Sequence, residues 1–204
     1  VVRLVGSEMC IRDRNNNIIT TSPIKGTIKR SDDPVTDNRL KEELSSSEKN
    51  IAENLMIVDV LRNDISRVSK KGSVVVTELA KIKSYKNVHH LVSTIKGSLS
   101  EKLDAIDLLF ATLPGGSITG APKIRAMEII SELEKNRRGV YCGAIGFISF
   151  SKDSDFNIPI RTLTIADDTI SINCGGGIVS DSNAESEYQE LSLIHISEPT
   201  RRTT

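Results

Sequence analysis

The segment from residue 46 to residue 66 constrains this chain most. Ile51, Leu55, Val58 and Ile65 recur at helical spacing, while Met56, Ile57, Val60 and Leu61 fill other faces. Apolar side chains nearly all round predict a buried helix. Ser46 or Ser47 can cap its start by accepting a hydrogen bond from a first-turn N–H. Such a helix needs neighbours on several sides, and the flanking sequence offers strands. Residues 73–82 and 88–98, rich in Val and Thr, read as strands. Residues 18–21 are a short β-prone run ended by Pro23, and the polar stretch 31–38, with Pro34 inside it, reads as a loop. A helix over 103–113 stops at Pro114–Gly115–Gly116. Pro122 suits the first turn of the next helix, which runs to about Lys135 and ends at Arg137–Arg138–Gly139. Strands are expected at 141–150, 157–166 and 169–174, with turns at 152–155 and at Asp167–Asp168. Asp181 or Ser182 can cap a final helix. Helices lying between groups of successive strands predict an α+β fold, antiparallel sheets with outer helices.

Composition narrows the functional classes. The chain of 204 residues is long enough for one domain with a core. Its formal net charge is zero, so it carries no global basic field for nucleic acid or a membrane surface. No apolar run is long enough to span a bilayer, and no leader is visible. Cys10, Cys142 and Cys174 are scattered, which argues against a disulfide scaffold or zinc site and fits a reducing cytoplasm.

The two ends read as foreign. The string RLVGSEMCIRD at 3–13, back-translated and reverse-complemented one base in, spells SLIHISEPTRR, which stands at 192–202. The underlying DNA resembles a transposon-derived library adapter. Residues 1–14 and 191–204 are therefore expected to be artefacts, with a partial catalytic domain over 15–190. His195 and Cys10 carry no functional weight. On this view the fold is incomplete, lacking strands of both sheets, and the isolated chain is expected to fold poorly and to have little activity.

Several groups between the ends can carry chemistry. Lys25, in PIKGT at 23–27, sits at a rigid turn before Gly26. It is either an exposed loop lysine or an amine directed into a cleft; desolvation there favours the neutral, nucleophilic form. Glu53 shares a helix face with Ile57 and Asp64 and needs a cation if buried; alternatively it serves the helix dipole. His89 and His90 are adjacent in a strand, so their rings point to opposite faces. The loop from Gly115 to Lys123 leads into a helix N-terminus. It presents backbone N–H groups to an anion, or is a tight connector. Gly175–Gly176–Gly177 lets a carboxylate approach bare backbone, or marks a sharp turn. Arg161, within an expected strand, can pair bidentately with a carboxylate. Glu187 and Glu190 share a helix face and, with Glu53, can offer oxygen ligands to Mg²⁺.

In combination these strings resemble the chorismate-binding enzyme family, which includes anthranilate, aminodeoxychorismate, isochorismate and salicylate synthases. The resemblance runs through PIKGT at 23–27, ENLMIVDVLRND at 53–64, VHHLVSTIKG at 88–97 and PGGSITGAPKIRAMEII at 114–130. It continues through YCGAIGF at 141–147, IRTL at 160–163 and CGGGIVSDSNAESEYQE at 174–190. It implies the fold of anthranilate synthase component I. It also implies Glu53 and Glu190 as Mg²⁺ ligands with Glu187 beside them, and His90 near the ring carboxylate end of the substrate. Tyr141 and Arg161 would touch the enolpyruvyl side, Gly175, Gly176 and Gly177 would cradle its carboxylate, and Ser117, Thr119 and Gly120 would line the ring site. A lysine in PIKGT is similar to the lysine-bearing aminodeoxychorismate synthases, where anthranilate synthases usually carry alanine. That likeness implies amination of chorismate to 4-amino-4-deoxychorismate through a lysine-bound intermediate, with ammonia from a glutamine amidotransferase subunit or fused domain. The alternatives are anthranilate synthesis with loss of pyruvate, and an inactive or binding-only fragment. The family's lysine four positions after Glu190 is absent, since the chain has Ile194 there.

Overall fold

The computed structural model describes residues 2–4, 12–15, 17–166, 169–180, 182–185, 187–189 and 191. Its larger sheet is organised about β6 (Val88–Ser98). One edge of β6 pairs with β5 (Val75–Ser84). The other edge pairs in succession with β3 (Ile18–Thr21) and β4 (Ile24–Lys29). The break between β3 and β4 falls at Pro23, which has no N–H to give to a ladder; its carbonyl instead accepts from Ser93 N at 3.1 Å. Beyond β3 the sheet continues through β2 (Arg12–Asn15), β8 (Ser154–Asn157) and β7 (Ile145–Ile148). A second sheet joins β1 (Val2–Leu4), β9 (Thr162–Ala166) and β10 (Thr169–Asn173). Every named pairing is antiparallel, as the sequence predicts.

The core lies between β6 and α2 (Glu48–Ser66). Ser47 caps α2, its hydroxyl accepting from Asn50 N at 3.4 Å. Ile57, Leu61 and Ile65 recur at helical spacing and are fully buried against Ile19, Ile95, Leu99 and Leu108. Leu91 through Ile95 are buried in succession, so β6 is covered on both faces. Leu108 comes from α3 (Ala105–Thr112), whose start is fixed by a capping box between Asp104 and Asp107. The last long helix, α4 (Lys123–Leu133), contributes no fully buried residue among those described.

The structure corrects five expectations. The helix over 46–66 is not buried all round: Leu55 and Met56 are 45% and 37% exposed, because the sheet covers only one stripe of it. The segment read as a loop from Pro34 onward is α1 (Pro34–Ser46). Asp33 caps it by accepting from Thr36 N at 2.9 Å, and Pro34 sits in the first turn, where a missing N–H costs nothing. The single strand expected at 157–166 is two strands in different sheets, and Arg161 lies in the bend before β9 with φ +48°. Pro122 caps α4 from outside its first turn, and residues 154 and 155 belong to β8 instead of a turn. Asp167, Asp168 and Asp181 lie outside the described residues, as do Cys10 and His195. No described helix is long and apolar enough to cross a membrane.

A buried polar network holds α1 to the sheet. Asp37 accepts from Arg30 Nε and Nη2 at 3.3 and 2.9 Å and from Ser31 N at 3.1 Å. The fully buried His89 places Nε2 at 2.9 Å from Asp37 and Nδ1 at 2.9 Å from Ser84 Oγ. The Arg30 hydrogen bonds hold the Asp37 carboxyl well below the usual carboxylate range. A carboxylate with a depressed folded pKa stabilises the fold fully above its unfolded value, about 3.9. That contribution declines as pH falls below this value and is gone beneath the folded pKa. Asp37→Asn is therefore expected to lower the melting temperature at pH 7, with the gap to wild type closing below about pH 4; thermal melts over a pH series measure it. Leu61→Ala is expected to cost about 2–5 kcal/mol by urea unfolding, the usual cost of emptying a fully buried leucine site.

Candidate active site

Lys25 is the second residue of β4, just past the Pro23 break. Gly26 follows with φ +87°, a left-handed conformation that a side chain strains. A methyl group there would lie 3.0 Å from both Asn50 Cγ and Leu44 Cδ1, so the backbone runs hard against α1 and α2. This packing brings the Lys25 amine to 3.4 Å from Glu53 Oε2, near the start of α2. Both side chains are largely sheltered, at 22% and 17% exposure.

The glycine run after β10 closes over this pair. A methyl group at Gly177 would sit 3.4 Å from Lys25 Nζ, one at Gly176 3.5 Å from Glu187 Oε2, and one at Gly175 2.7 Å from the Tyr141 hydroxyl. Three bare backbone positions thus face an amine, a carboxylate and a phenol in turn. Glu187 is steadied by Ser182, whose hydroxyl donates to Glu187 Oε1 at 2.6 Å while accepting from Val179 N at 3.1 Å. Burial pushes the Tyr141 phenol above its ordinary pKa and does the same to the Cys142 thiol.

The loop between α3 and α4 is pinned to α2 at two points. Gly116 is buried so tightly that a methyl group would lie 2.5 Å from Val60 Cγ1. Lys123, at the start of α4, donates to the buried Asp64 carboxylate. Inside the loop Thr119 Oγ1 donates to Gly115 O at 2.9 Å, and Gly120 has φ +143°. Thr119, Ile118, Arg138 and Tyr141 help line a cavity of about 460 Å³.

The structure therefore pairs Lys25 with Glu53, turns the bare positions Gly175, Gly176 and Gly177 toward Tyr141, Glu187 and Lys25 in that order, and places Thr119 in one cavity with Tyr141. The two histidines part as their strand requires. His89 is buried in the Asp37 network, and His90 is half-buried with Nδ1 2.7 Å from Thr27 Oγ1, two residues along β4 from Lys25. Ser117 lies in the short 3-10 turn Gly116–Ile118. Arg161 is half-buried in its bend, and Glu190 lies outside the described residues. Sequence reasoning missed Arg138, read only as a helix stop, although an arginine ahead of Gly139 and Tyr141 was there to be weighed. It also missed the Lys123 partner of Asp64.

For a metal, the donor chemistry is that of carboxylate oxygen. Glu187 faces Gly176, and Glu53 pairs with Lys25, whose amine faces Gly177. Mg²⁺ takes one or two carboxylates and completes its shell with water and substrate oxygens, so these residues fit it. Among the described residues no three acidic, histidine or cysteine side chains cluster as a ready-made site.

The family model for chorismate binding enzymes matches residues 6–193. The chain belongs to the chorismate-binding enzyme family. The match starts and ends inside the segments expected to be foreign. Aminodeoxychorismate synthase component 1 of Escherichia coli (strain K12) is 56% identical over 176 residues, covering 86% of this chain and 39% of that protein. Anthranilate synthase component 1 of Aquifex aeolicus (strain VF5) is 48% identical over 191 residues, covering 93% of this chain and 38% of that protein. The crystal structure of anthranilate synthase component I from Streptococcus pneumoniae TIGR4 superposes with a TM-score of 0.80 at 42% identity, covering 94% of this chain and 42% of that one. The chain thus spans about two fifths of the length of these relatives, and the α+β antiparallel fold is that of chorismate-binding enzymes.

The Gly116 contact offers a direct check on the loop's attachment. Gly116→Ala is expected to cost about 1–3 kcal/mol, the range for overpacking against a stiff β-branched side chain. Val60→Ala in the same chain should return part of that loss, measured as coupling in a double-mutant cycle of urea unfolding.

Proposed function

We propose that the whole protein to which this chain belongs aminates chorismate to 4-amino-4-deoxychorismate, with Lys25 as nucleophile. The observation that carries this reading is the sheltered Lys25 amine, 3.4 Å from Glu53 and facing the bare backbone of Gly177. Chorismate is a dianion with a ring carboxylate and an enolpyruvyl carboxylate. The backbone of Gly175–Gly177, Arg161 and the Tyr141 hydroxyl hold the enolpyruvyl side. Ser117, Thr119 and Gly120 line the ring, and His90 stands near the ring carboxylate. Glu53, Glu187 and Glu190 would hold Mg²⁺, which supplies Lewis-acid stabilisation of that carboxylate when bound.

The amine must shed a proton before attack. Lys25 Nζ then bonds to carbon 2 of chorismate, the two conjugated ring double bonds shift, and the carbon 4 hydroxyl leaves as water, taking the proton that the new carbon 2 nitrogen sheds. Ammonia adds at carbon 4, both double bonds shift back, and the lysine leaves carbon 2 with the proton that the incoming nitrogen sheds, the enolpyruvyl ether staying intact. The ammonia comes from a glutamine amidotransferase partner, a role that fits the words "component 1" in the names of the E. coli and Salmonella typhimurium relatives. The proposed setting is a reducing cytoplasm, which the scattered positions of the cysteines in the sequence suit.

Anthranilate synthesis is the second reading, favoured by the Aquifex aeolicus relative. Lys25 speaks against it, because loss of pyruvate needs no amine at that position. The test incubates the protein with chorismate, Mg²⁺ and an ammonium salt and identifies the product by mass spectrometry. Aminodeoxychorismate is expected, and anthranilate would refute the proposal. Without ammonium, the peptide carrying Lys25 should gain the mass of chorismate less water. Lys25→Ala should abolish the adduct and lower turnover on the order of 10³-fold or more, as removal of a covalent nucleophile does.

A further inference from the structure

We infer that Arg138 is a positioning residue that sets the Tyr141 ring and the Ile118 backbone as one wall of the chorismate site. The inference rests on the function proposed above for what it positions, and on geometry for how. Arg138 Nη1 donates to Ile118 O at 2.7 Å, inside the loop between α3 and α4. Its Nε and Nη2 donate to the two Glu134 oxygens at 2.8 and 2.6 Å, the bidentate arrangement that fixes a guanidinium plane. With the plane fixed, Cζ lies 5.9 Å from the centre of the Tyr141 ring, within reach of a cation–π attraction. The Tyr141 hydroxyl in turn abuts Gly175. One side chain thus connects the end of α4, the Thr119 loop and the phenol against the glycine run. All four of its jobs need the planar fork, and a lysine ammonium can do only part of them. Arg137, its neighbour, is exposed and makes none of these contacts among the described hydrogen bonds and ion pairs.

The chain has three tyrosines, so ring-labelled ¹³C-tyrosine gives signals that Tyr141→Phe assigns. Arg138→Gln is expected to shift or broaden the Tyr141 ring signal while leaving those of Tyr85 and Tyr188 in place. It should weaken chorismate binding by calorimetry on the order of tenfold, the size of a lost charge-assisted contact. Arg138→Lys should fall between, and Arg137→Gln should match wild type in both readouts. A Tyr141 signal unmoved in Arg138→Gln, or moved equally in Arg137→Gln, overturns the inference. A mere helix-end role would lower the melting temperature and leave that signal alone. Failure of the full-length wild-type protein to bind chorismate would count against the proposed function. The ring signal would still decide the role of Arg138.

Discussion

Everything in this fold leans on one strand that is hydrogen-bonded along both edges and covered on both faces. β6 gives its backbone to β5 on one side and to β3 and β4 in turn on the other, while α2 seals it with Ile57, Leu61 and Ile65. Apolar burial of this kind is non-directional and strong, and the ladder makes it directional. The candidate site groups hang from this frame: Lys25 on β4, His90 on β6, Glu53 on α2. Their mutual distances are set by the same contacts that hold the core.

The polar parts are fastened to that frame with few flexible links. Gly116 seats the α3–α4 loop against Val60, and Lys123 reaches back to Asp64. Both anchors lie on α2, the helix that also carries Glu53. The glycine run comes from the second sheet, yet its three bare positions meet Lys25, Glu187 and Tyr141. A side chain at Gly175 would collide with the Tyr141 hydroxyl, whereas a methyl group at Gly176 or Gly177 would only touch Glu187 or Lys25. At Gly175 the missing side chain is therefore a packing requirement as well as an opening for a ligand.

Much of this was legible from residue patterns. The α2 stripe, the paired strands β5 and β6, and the capping positions followed from periodicity and turn chemistry. The motif strings pointed to Lys25, Glu53, Tyr141 and the glycine run before any distance was known. What the sequence hid has physical causes. Pro34 reads as a breaker but also suits a helix's first turn, so α1 was missed. The 157–166 stretch has continuous β-propensity, and only its change of sheet, with Arg161 in a left-handed bend, shows that it is broken. The exposed side of α2 looked buried because periodicity reports which faces are apolar, not how many partners arrive to cover them. Arg138 was invisible as a functional residue because its role lies in three simultaneous contacts, to Glu134, Ile118 and Tyr141, that no linear spacing encodes.

The interruption at Pro23 has a consequence for how such a scaffold diversifies. β3 and β4 share a single partner strand on either side of one missing amide, so the backbone bearing position 25 cannot drift without disturbing the ladder next to Ile19 and Ile95. What can vary freely is the group projecting from that fixed point. In the proposed reaction an amine there captures the ring, and a small inert side chain would leave the same cradle without that proposed nucleophile. Divergence of reaction type within one architecture then needs a change of substituent instead of a redesign of the chain's course.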